Sequence, residues 1–249
     1  MKKSIALSKI NPKFLDGIAH RGLWNDKFTE NGLKAFKNAI DNDVAFEFDI
    51  HLTKDNELVV CHDEELKRTT GKEGIIEHLT LKEIKENYRL HDGGEIPTLQ
   101  EVFDLNKEKV PMVIELKVFE KNYKALAQRA KEMFAQIKDK KNVLLISFDP
   151  RSLWPFKHSG FIRSLLVTYD KEYQYVFSFR HTVESVDLDM NWFNEKKAIR
   201  YAKRHFTNAW TIETEEHLNN MLPYVDTVTF QHLDVELVKS ALRKKHEQN

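Results

Sequence analysis

The side chains best suited to chemistry in this sequence come in alternating pairs. Glu47 and Asp49 lie in the run VAFEFDI, and Glu115 and Lys117 lie in VPMVIELKV. In an extended strand residues i and i+2 share a face, so each pair points one way. Carboxylates among neighbours such as Phe46, Phe48 and Ile114 are costly to bury unless they are paired or bound to a metal. Three carboxylates from two strands, with a lysine beside them, suit an oxygen-preferring divalent cation such as Mg2+ or Ca2+. Ion pairing at the strand ends accounts for the same spacing. His20 and Arg21 follow the apolar end of DGIAH, and His62 follows LVVC. Two histidines that titrate near neutral pH can serve as general base and general acid. An arginine beside them can grip a phosphate bidentately. A lone histidine among 11 is ordinarily a surface or core residue; the combination HRG, ExD, HD and ExK is what points to phosphate chemistry.

Positioning these residues takes strands and helices in alternation. Apolar, β-branched runs predict strands at 16–20, 44–50, 110–118, 142–148, 161–169, 183–190, 207–213 and 225–230. Helical spacing between them marks Leu33, Phe36 and Ile40, then Tyr123 to Ile137, a short helix through Leu153 and Trp154, and 192–206. It also marks TEEHLNNML with Thr214 as N-cap, and a last helix through Leu233, Val238 and Leu242. Eight strands alternating with helices over about 250 residues predict an α/β TIM (β/α)8 barrel. A doubly wound sheet ordinarily carries a glycine-rich phosphate loop after its first strand. With 8 glycines and neither GxGxxG nor GxxxxGKS, this sequence has none. Residues 52–109 are too long for a βα connection. They hold a short strand from Leu58 to Cys61, a turn at TTGKEG, and helices in LTLKEIKENY and PTLQEVFDLN. The expectation is one domain over 1–249 with a small insertion subdomain at about 52–109.

Composition limits the partners. The 39 basic and 39 acidic residues cancel, which argues against a nucleic-acid or anionic-membrane binder held by bulk charge. No apolar window approaches the roughly 20 residues of a membrane span. MKKSIALSKINPKF has no run long enough for a signal h-region. The single cysteine, Cys61, excludes an intramolecular disulfide and thiolate zinc sites. The expectation is a cytoplasmic protein with a small-molecule partner; oligomeric state is not legible.

Ordered motifs resemble the glycerophosphodiester phosphodiesterase family. IAHRG (18–22) is similar to its opening motif, and TENGLKAF (29–36) to its Glu-Asn segment. EFDIHLTKDNELVVCHDEELKRTTG (47–71) matches closely. IPTLQEVF (96–103), VIELK (113–117) and ISFDP (146–150) follow in family order, and WTIE (210–213) resembles a late motif. The match is dense over about the first 150 residues and thin beyond. The resemblance implies the barrel, the insertion, and metal-dependent hydrolysis of glycerophosphodiesters to glycerol 3-phosphate and an alcohol. It implies Glu47, Asp49 and Glu115 as ligands of one divalent cation, Mg2+ or Ca2+. It further implies His20 and His62 as the acid–base pair and Arg21 and Lys117 as the phosphate holders. Glu30 and Asn31 would stand behind the first histidine. In the mechanism it implies, the substrate's glycerol 2-hydroxyl attacks phosphorus and water then opens a cyclic phosphate.

Three positions depart from the family pattern. Phe230 stands where an Asp commonly ends the eighth strand, Gly32 where a threonine follows the Glu-Asn pair, and Glu213 where an Asn follows the Trp-Thr pair. The late half of the barrel shapes the glycerol and alcohol pocket, so these changes bear on substrate identity more than on chemistry. His51 continues the Glu47–Asp49 face, but a contact with solvent or the insertion fits it better than a ligand role. Cys61 faces away from its neighbour His62 and reads as a small buried hydrophobe. Trp210 is either an apolar wall for glycerol or core. Tyr173, Tyr175, Phe177 and Phe179 could meet a lipid chain or cover the barrel. Lysophospholipase D action, release of a cyclic phosphate, and a non-catalytic glycerophosphodiester-binding role are the alternatives. The presence of every histidine and carboxylate argues against the last.

Overall fold

The computed structural model describes residues 3–171 and 174–248. Among these residues nine strands form, β1 Ile18–Ala19, β2 Ala45–Leu52, β3 Leu58–Val60, β4 Met112–Leu116, β5 Val143–Ser147, β6 Ile162–Val167, β7 Ser185–Asp189, β8 Thr207–Ile212 and β9 Thr227–Phe230. All but β3 pair in parallel, and β1 pairs with both β2 and β9, so the sheet closes into an eight-stranded barrel. The eight expected strands are the eight barrel strands. β3 lies antiparallel on the far end of β2, from Ile50↔Val60 to Leu52↔Leu58.

Period-two patterning sorts the barrel interior by height. Along β2 the inward positions run Ala45, Glu47, Asp49, and on β4 Val113, Glu115. Strand order and register (Phe46↔Met112, Asp49↔Glu115) bring these carboxylates to one level. Below them the interior is apolar on the side of β1, β2, β4, β5 and β6, while β6 to β9 bring in the buried polar residues Ser164, Asp187, Asn208 and Thr229. Ile18, Ala45, Val113, Leu144, Ile146, Ile162 and Leu166 pack with Ala6, Ile10, Phe14 and Phe206. The chain's first segment therefore closes the lower end of the barrel. It is a short helix, Lys3–Leu7, then a 3-10 turn, Pro12–Asp16, capped by Asn11. Thr227 Oγ1 donates to the Phe14 carbonyl at 2.5 Å, and Asn11 N–H to that of Lys141 at 2.8 Å. Sequence reading drew no structural role from this segment, because its few apolar residues fit no single period.

The outer helices follow their apolar faces. Leu33–Asp41 buries Ala35, Phe36 and Ala39, and Tyr123–Phe134 buries Leu126, Ala127, Ala130 and Phe134. Thr214 caps Glu215–Met221 as expected, accepting from the His217 N–H at 3.1 Å. The stretch 192–206 is not one helix. A 3-10 turn, Met190–Asn194, gives way at Glu195 to the helix Lys196–Ala202. The last helix, Val235–Glu247, starts after the Asp234 cap, leaving Leu233 outside it.

Between β2 and β4 the chain builds a side structure with its own apolar cluster of Val59, Cys61, Leu66, Ile76, Ile84, Tyr88, Leu90 and Ile96. Its helix Leu81–Asn87 and the helix that follows, Leu99–Asn106, which buries Leu99 and Val102 in the main core, both open with reciprocal capping boxes, Thr80 with Glu83 and Thr98 with Glu101. Each box satisfies two N-terminal N–H groups that have no partner within the helix. Pro97 thus precedes the cap and does not open the helix.

Candidate active site

At the upper end of the barrel Glu47, Asp49 and Glu115 each offer an oxygen, all within 4.8 Å of one another. All three are buried. Burial, then the charges of Asp49 and Glu115, raises Glu47 well above the usual carboxylate range. Burial and Asp49 push Glu115 up to about 7, against the pull of Lys117. Asp49 goes the other way. Burial would raise it, but Lys117, His62 and Arg21 hold it far below its ordinary value. Lys117 Nζ stands 3.1 Å from Glu115 Oε1 and 3.6 Å from Asp49 Oδ1, and these carboxylates keep its ammonium charged despite burial.

Arg21 links this cluster to the loop after β1. Its backbone N–H donates to Glu47 Oε2 at 2.9 Å and its Nη1 to Glu30 Oε1 at 2.8 Å. Both Arg21 (φ 55°) and Asn31 (φ 56°) adopt the left-handed region, a strained choice for residues with a Cβ. They hold it jointly, since the Asn31 N–H donates to the Arg21 carbonyl at 3.0 Å. Asn31 Nδ2 donates to Asp49 Oδ2 at 2.9 Å. Glu30 also takes two bonds from Arg68, at 2.7 and 2.9 Å. Burial opposes ionisation of Glu30, but the two arginines hold it below its usual range. Glu30 and Asn31 therefore stand behind Arg21 and Asp49, not behind His20. Gly32, at the N-cap of Leu33–Asp41, provides no side-chain bond there.

Among the candidates for holding the cation and the phosphate, two buried atoms have no hydrogen-bond partner, Arg21 Nε and Asp49 Oδ1. Arg21 Nε lies 3.8 Å from Asp49 Oδ2, an oxygen already taken by Asn31, and Asp49 Oδ1 lies 3.6 Å from Lys117 Nζ, so neither separation is a hydrogen bond. Buried polar atoms rarely stay unpaired. The acceptor fits a cation and the donor an anion. Three carboxylates form an all-oxygen donor set of the kind hard divalent ions take, so the residues present fit a metal.

His20, Arg21, Glu47, His62 and Glu115 line one cavity of about 120 Å³, walled by Ile146, Phe148, Leu166 and Trp210. The two histidines have different partners. His20 Nδ1 lies 2.7 Å from Gln231 Oε1, and Gln231 Nε2 donates to Glu213 Oε1 at 2.5 Å. The carboxylate of Glu213 only accepts, so the amide turns its oxygen to the histidine and the proton sits on Nδ1. Burial, then Arg21, lowers His20 to about 4. His62 Nδ1 lies 2.6 Å from Asp63 Oδ1, and Arg68 Nε holds Asp63 Oδ2 at 2.5 Å. Burial lowers His62 while Asp49 and Asp63 oppose it.

The other candidates fall into place around this cavity. His51 points to the insertion, with Nδ1 2.5 Å from Glu77 Oε1 and Nε2 3.2 Å from the His62 carbonyl. It props the His62 loop. Cys61 is buried and its thiol is pushed up to about 12, mainly by burial. Trp210 is both wall and packing. It lines the cavity, meets Phe148 edge-on at 5.8 Å, and donates Nε1–H to the Asp187 carbonyl at 3.0 Å. The aromatic run divides. Phe177 stacks on Trp192 at 5.2 Å, while Tyr175 and Phe179 line an exposed groove of about 580 Å³ that reaches Glu115 and Lys117. Tyr173 lies outside the described residues. The expectation for Phe230 is corrected. Its side chain is fully buried outside the barrel, where a Cβ on Gly17 (φ 104°) would come within 3.2 Å of its ring and 2.9 Å of Val238 Cγ1. The next residue, Gln231, presents to the site, because the strand alternates faces. Sequence reading missed Arg68, Asp63 as a histidine partner, and Gln231; the usable signal for Gln231 was period two from Thr227 and Thr229.

Comparison with known proteins agrees with this geometry. The family model for the glycerophosphoryl diester phosphodiesterase family matches residues 20–245. A glycerophosphodiester phosphodiesterase of Caldanaerobacter subterraneus subsp. tengcongensis is 30% identical over 216 residues, covering 82% of this chain and 88% of its own. One from Bacillus altitudinis is 29% identical over 220 residues, covering 82% and 89%. An Oleispira antarctica phosphodiesterase, solved with its product sn-glycerol-3-phosphate, shares the fold at a TM-score of 0.78. It has 22% identity and covers 96% of this chain and 99% of that one. Motif order, barrel and relatives converge, and the chain belongs to the glycerophosphoryl diester phosphodiesterase family.

Proposed function

We propose that the protein hydrolyses glycerophosphodiesters to glycerol 3-phosphate and an alcohol, using one divalent cation, Mg2+ or Ca2+. The observation that carries this reading is the unmet pair in one site, Asp49 Oδ1 awaiting a cation and Arg21 Nε awaiting an anion. Glu47, Asp49 and Glu115 would hold the cation, which supplies charge stabilisation at the phosphoryl oxygens when bound. Arg21 and Lys117 grip the phosphate. Since both are already neutralised by Glu30, Asp49 and Glu115, they are positioned before substrate arrives.

The partners of the histidines divide the proton work. His20 carries its proton on Nδ1, toward Gln231, and so offers a bare Nε2 to the cavity. It takes the proton of the substrate's glycerol 2-hydroxyl as that oxygen attacks phosphorus. Asp63 favours the charged ring of His62, which gives its proton to the departing alcohol as the phosphorus–oxygen bond breaks. Water then opens the resulting cyclic phosphate with the two roles reversed, leaving glycerol 3-phosphate. Within one domain over 1–249, the insertion at about 52–109 supplies His62, Asp63 and Arg68, so it completes the site as well as covering it.

A second reading, lysophospholipase D action, is favoured by the groove along Val118, Phe148, Val176, Tyr175 and Phe179, which would take an acyl chain. Release of glycerol 3-phosphate from glycerophosphocholine, glycerophosphoethanolamine and glycerophosphoglycerol, with Mg2+, with Ca2+ and with chelator, tests the main reading. Cation-dependent release is expected. Turnover of lysophospholipids alone would move the assignment to the second reading. Accumulation of a stable cyclic phosphate would remove the hydrolytic half, and substrate binding without turnover would leave only a binding role.

A further inference from the structure

One side of the cavity is polar in a way the phosphoryl chemistry leaves unused. Ser164 on β6, Asp187 on β7, Asn208 on β8 and Thr229 on β9 are all buried. They form one hydrogen-bonded run across four neighbouring strands. Ser164 Oγ donates to Asp187 Oδ1 at 2.5 Å, and Asn208 Nδ2 donates to Asp187 Oδ2 at 2.9 Å and to Thr229 Oγ1 at 2.8 Å. Asp187 accepts on both oxygens, so the amide of Asn208 cannot be turned round and both its protons are committed. That leaves Asn208 Oδ1, which is buried and has no partner. Thr229, having accepted from the amide, keeps its own hydroxyl proton to give.

An acceptor and a donor side by side are the complement of an alcohol hydroxyl. Asp187, Asn208 and Thr229 line the same cavity as His20, His62, Glu47 and Glu115. At about 120 Å³ it has room for about four waters' share of liquid volume, the scale of a three-carbon polyol. The rest of the wall at this depth is apolar, Ile146 and Leu166. We propose that Asn208 and Thr229 form a hydroxyl-recognising subsite for the free terminal hydroxyl of the substrate's glycerol unit, with Asp187 and Ser164 orienting Asn208. The assignment rests on the phosphodiesterase reading and names what that reading leaves open, how the glycerol end is recognised. A substrate lacking this hydroxyl leaves two buried polar groups unpaired, which is the means by which a site rejects a deoxy analogue strongly.

The test compares kcat/KM for glycerophosphocholine and for the phosphocholine diester of propane-1,2-diol. The second substrate keeps the attacking hydroxyl and lacks only the terminal one. The parent protein should prefer the first by roughly 10²- to 10⁴-fold. Asn208→Leu should collapse that preference to within about tenfold, mostly by slowing the glycerol substrate, and Thr229→Val, which keeps the shape, should reduce it independently. A parent protein that turns over both substrates equally overturns the proposal, as does an unchanged preference in a folded Thr229→Val. If the parent turns over neither, the phosphodiesterase reading has failed and the subsite is read by calorimetry. Glycerol 3-phosphate should then bind more tightly than propane-1,2-diol phosphate, and equal affinity overturns the subsite too.

Discussion

Behind His20 stands a neutral amide, and behind His62 a carboxylate, and this difference has measurable consequences. Removing either ring, by His20→Ala or His62→Ala, should lower kcat by roughly 10²–10⁴-fold, the range for general acid–base catalysis, with the circular dichroism spectrum unchanged. Near-parental kcat in either variant would sink the acid–base assignment. Gln231→Leu leaves both rings in place but releases the His20 proton from Nδ1. Nitrogen-15 shifts of the His20 ring should report loss of the pure Nδ1–H form, and kcat should fall at least tenfold with little change in KM. Gln231→Glu keeps an acceptor at Nδ1 and should restore the tautomer; if its shifts match those of Gln231→Leu, the amide does not set it. Burial of His20 also couples stability to pH. Its pKa falls from 6.5 in the unfolded chain to about 4 when folded. The unfolded state therefore binds the extra proton between these values, and stability is full above 6.5 and lost as pH falls toward 4. Partial solvent contact at the cavity holds the loss to about 2 kcal/mol. Urea titrations at pH 7 and pH 4.5 should show that His20→Gln lacks this share of the decline.

At the scale of elements, the barrel strands were legible because both faces obey simple rules. Their outward faces pack apolar residues against helices, and their inward positions on β2 and β4 alternate at a strict period of two. The helices Leu33–Asp41 and Tyr123–Phe134 were legible for the same reason at period 3.6. What stayed hidden depended on long-range contact. The bonds from Arg68 to Glu30 join segments far apart in the chain, and no local spacing announces them. Asp187 and Asn208 carry no mark of their own within the runs VESVDLDM and TNAWTIE, and only strand register sets them side by side. Ile10 and Phe14 gave no structural signal because their partners come from the inner faces of several strands. That segment should matter to folding out of proportion to its length. Phe14→Ala empties a fully buried ring position and should cost about 3–5 kcal/mol, visible as a fall in Tm of about 10 °C in a domain this size.

For the molecule as a whole, a cation held by the acidic cluster would couple stability to metal. Three buried carboxylates within 4.8 Å repel one another, and an ion bound only by the folded chain adds about 2.7 kcal/mol at a hundredfold excess over its Kd. Thermal unfolding with Mg2+ or Ca2+ should rise by several degrees over the chelator-treated protein, and Asp49→Asn should abolish the rise. An identical shift in that variant would mean the ion binds elsewhere. The architecture also contains its own reporter. Cys61 is the chain's only cysteine and sits in the apolar cluster of the insertion, next in sequence to His62. With its thiol pushed up to about 12, only on the order of one molecule in 10⁴ carries a thiolate at pH 8, and no reagent reaches it without an opening. Alkylation of the native enzyme is therefore a clock for how often the apolar cluster around Cys61 opens. Because substrate would bind beneath His62, the rate at which that clock slows with substrate measures closure of the site without any chemistry taking place.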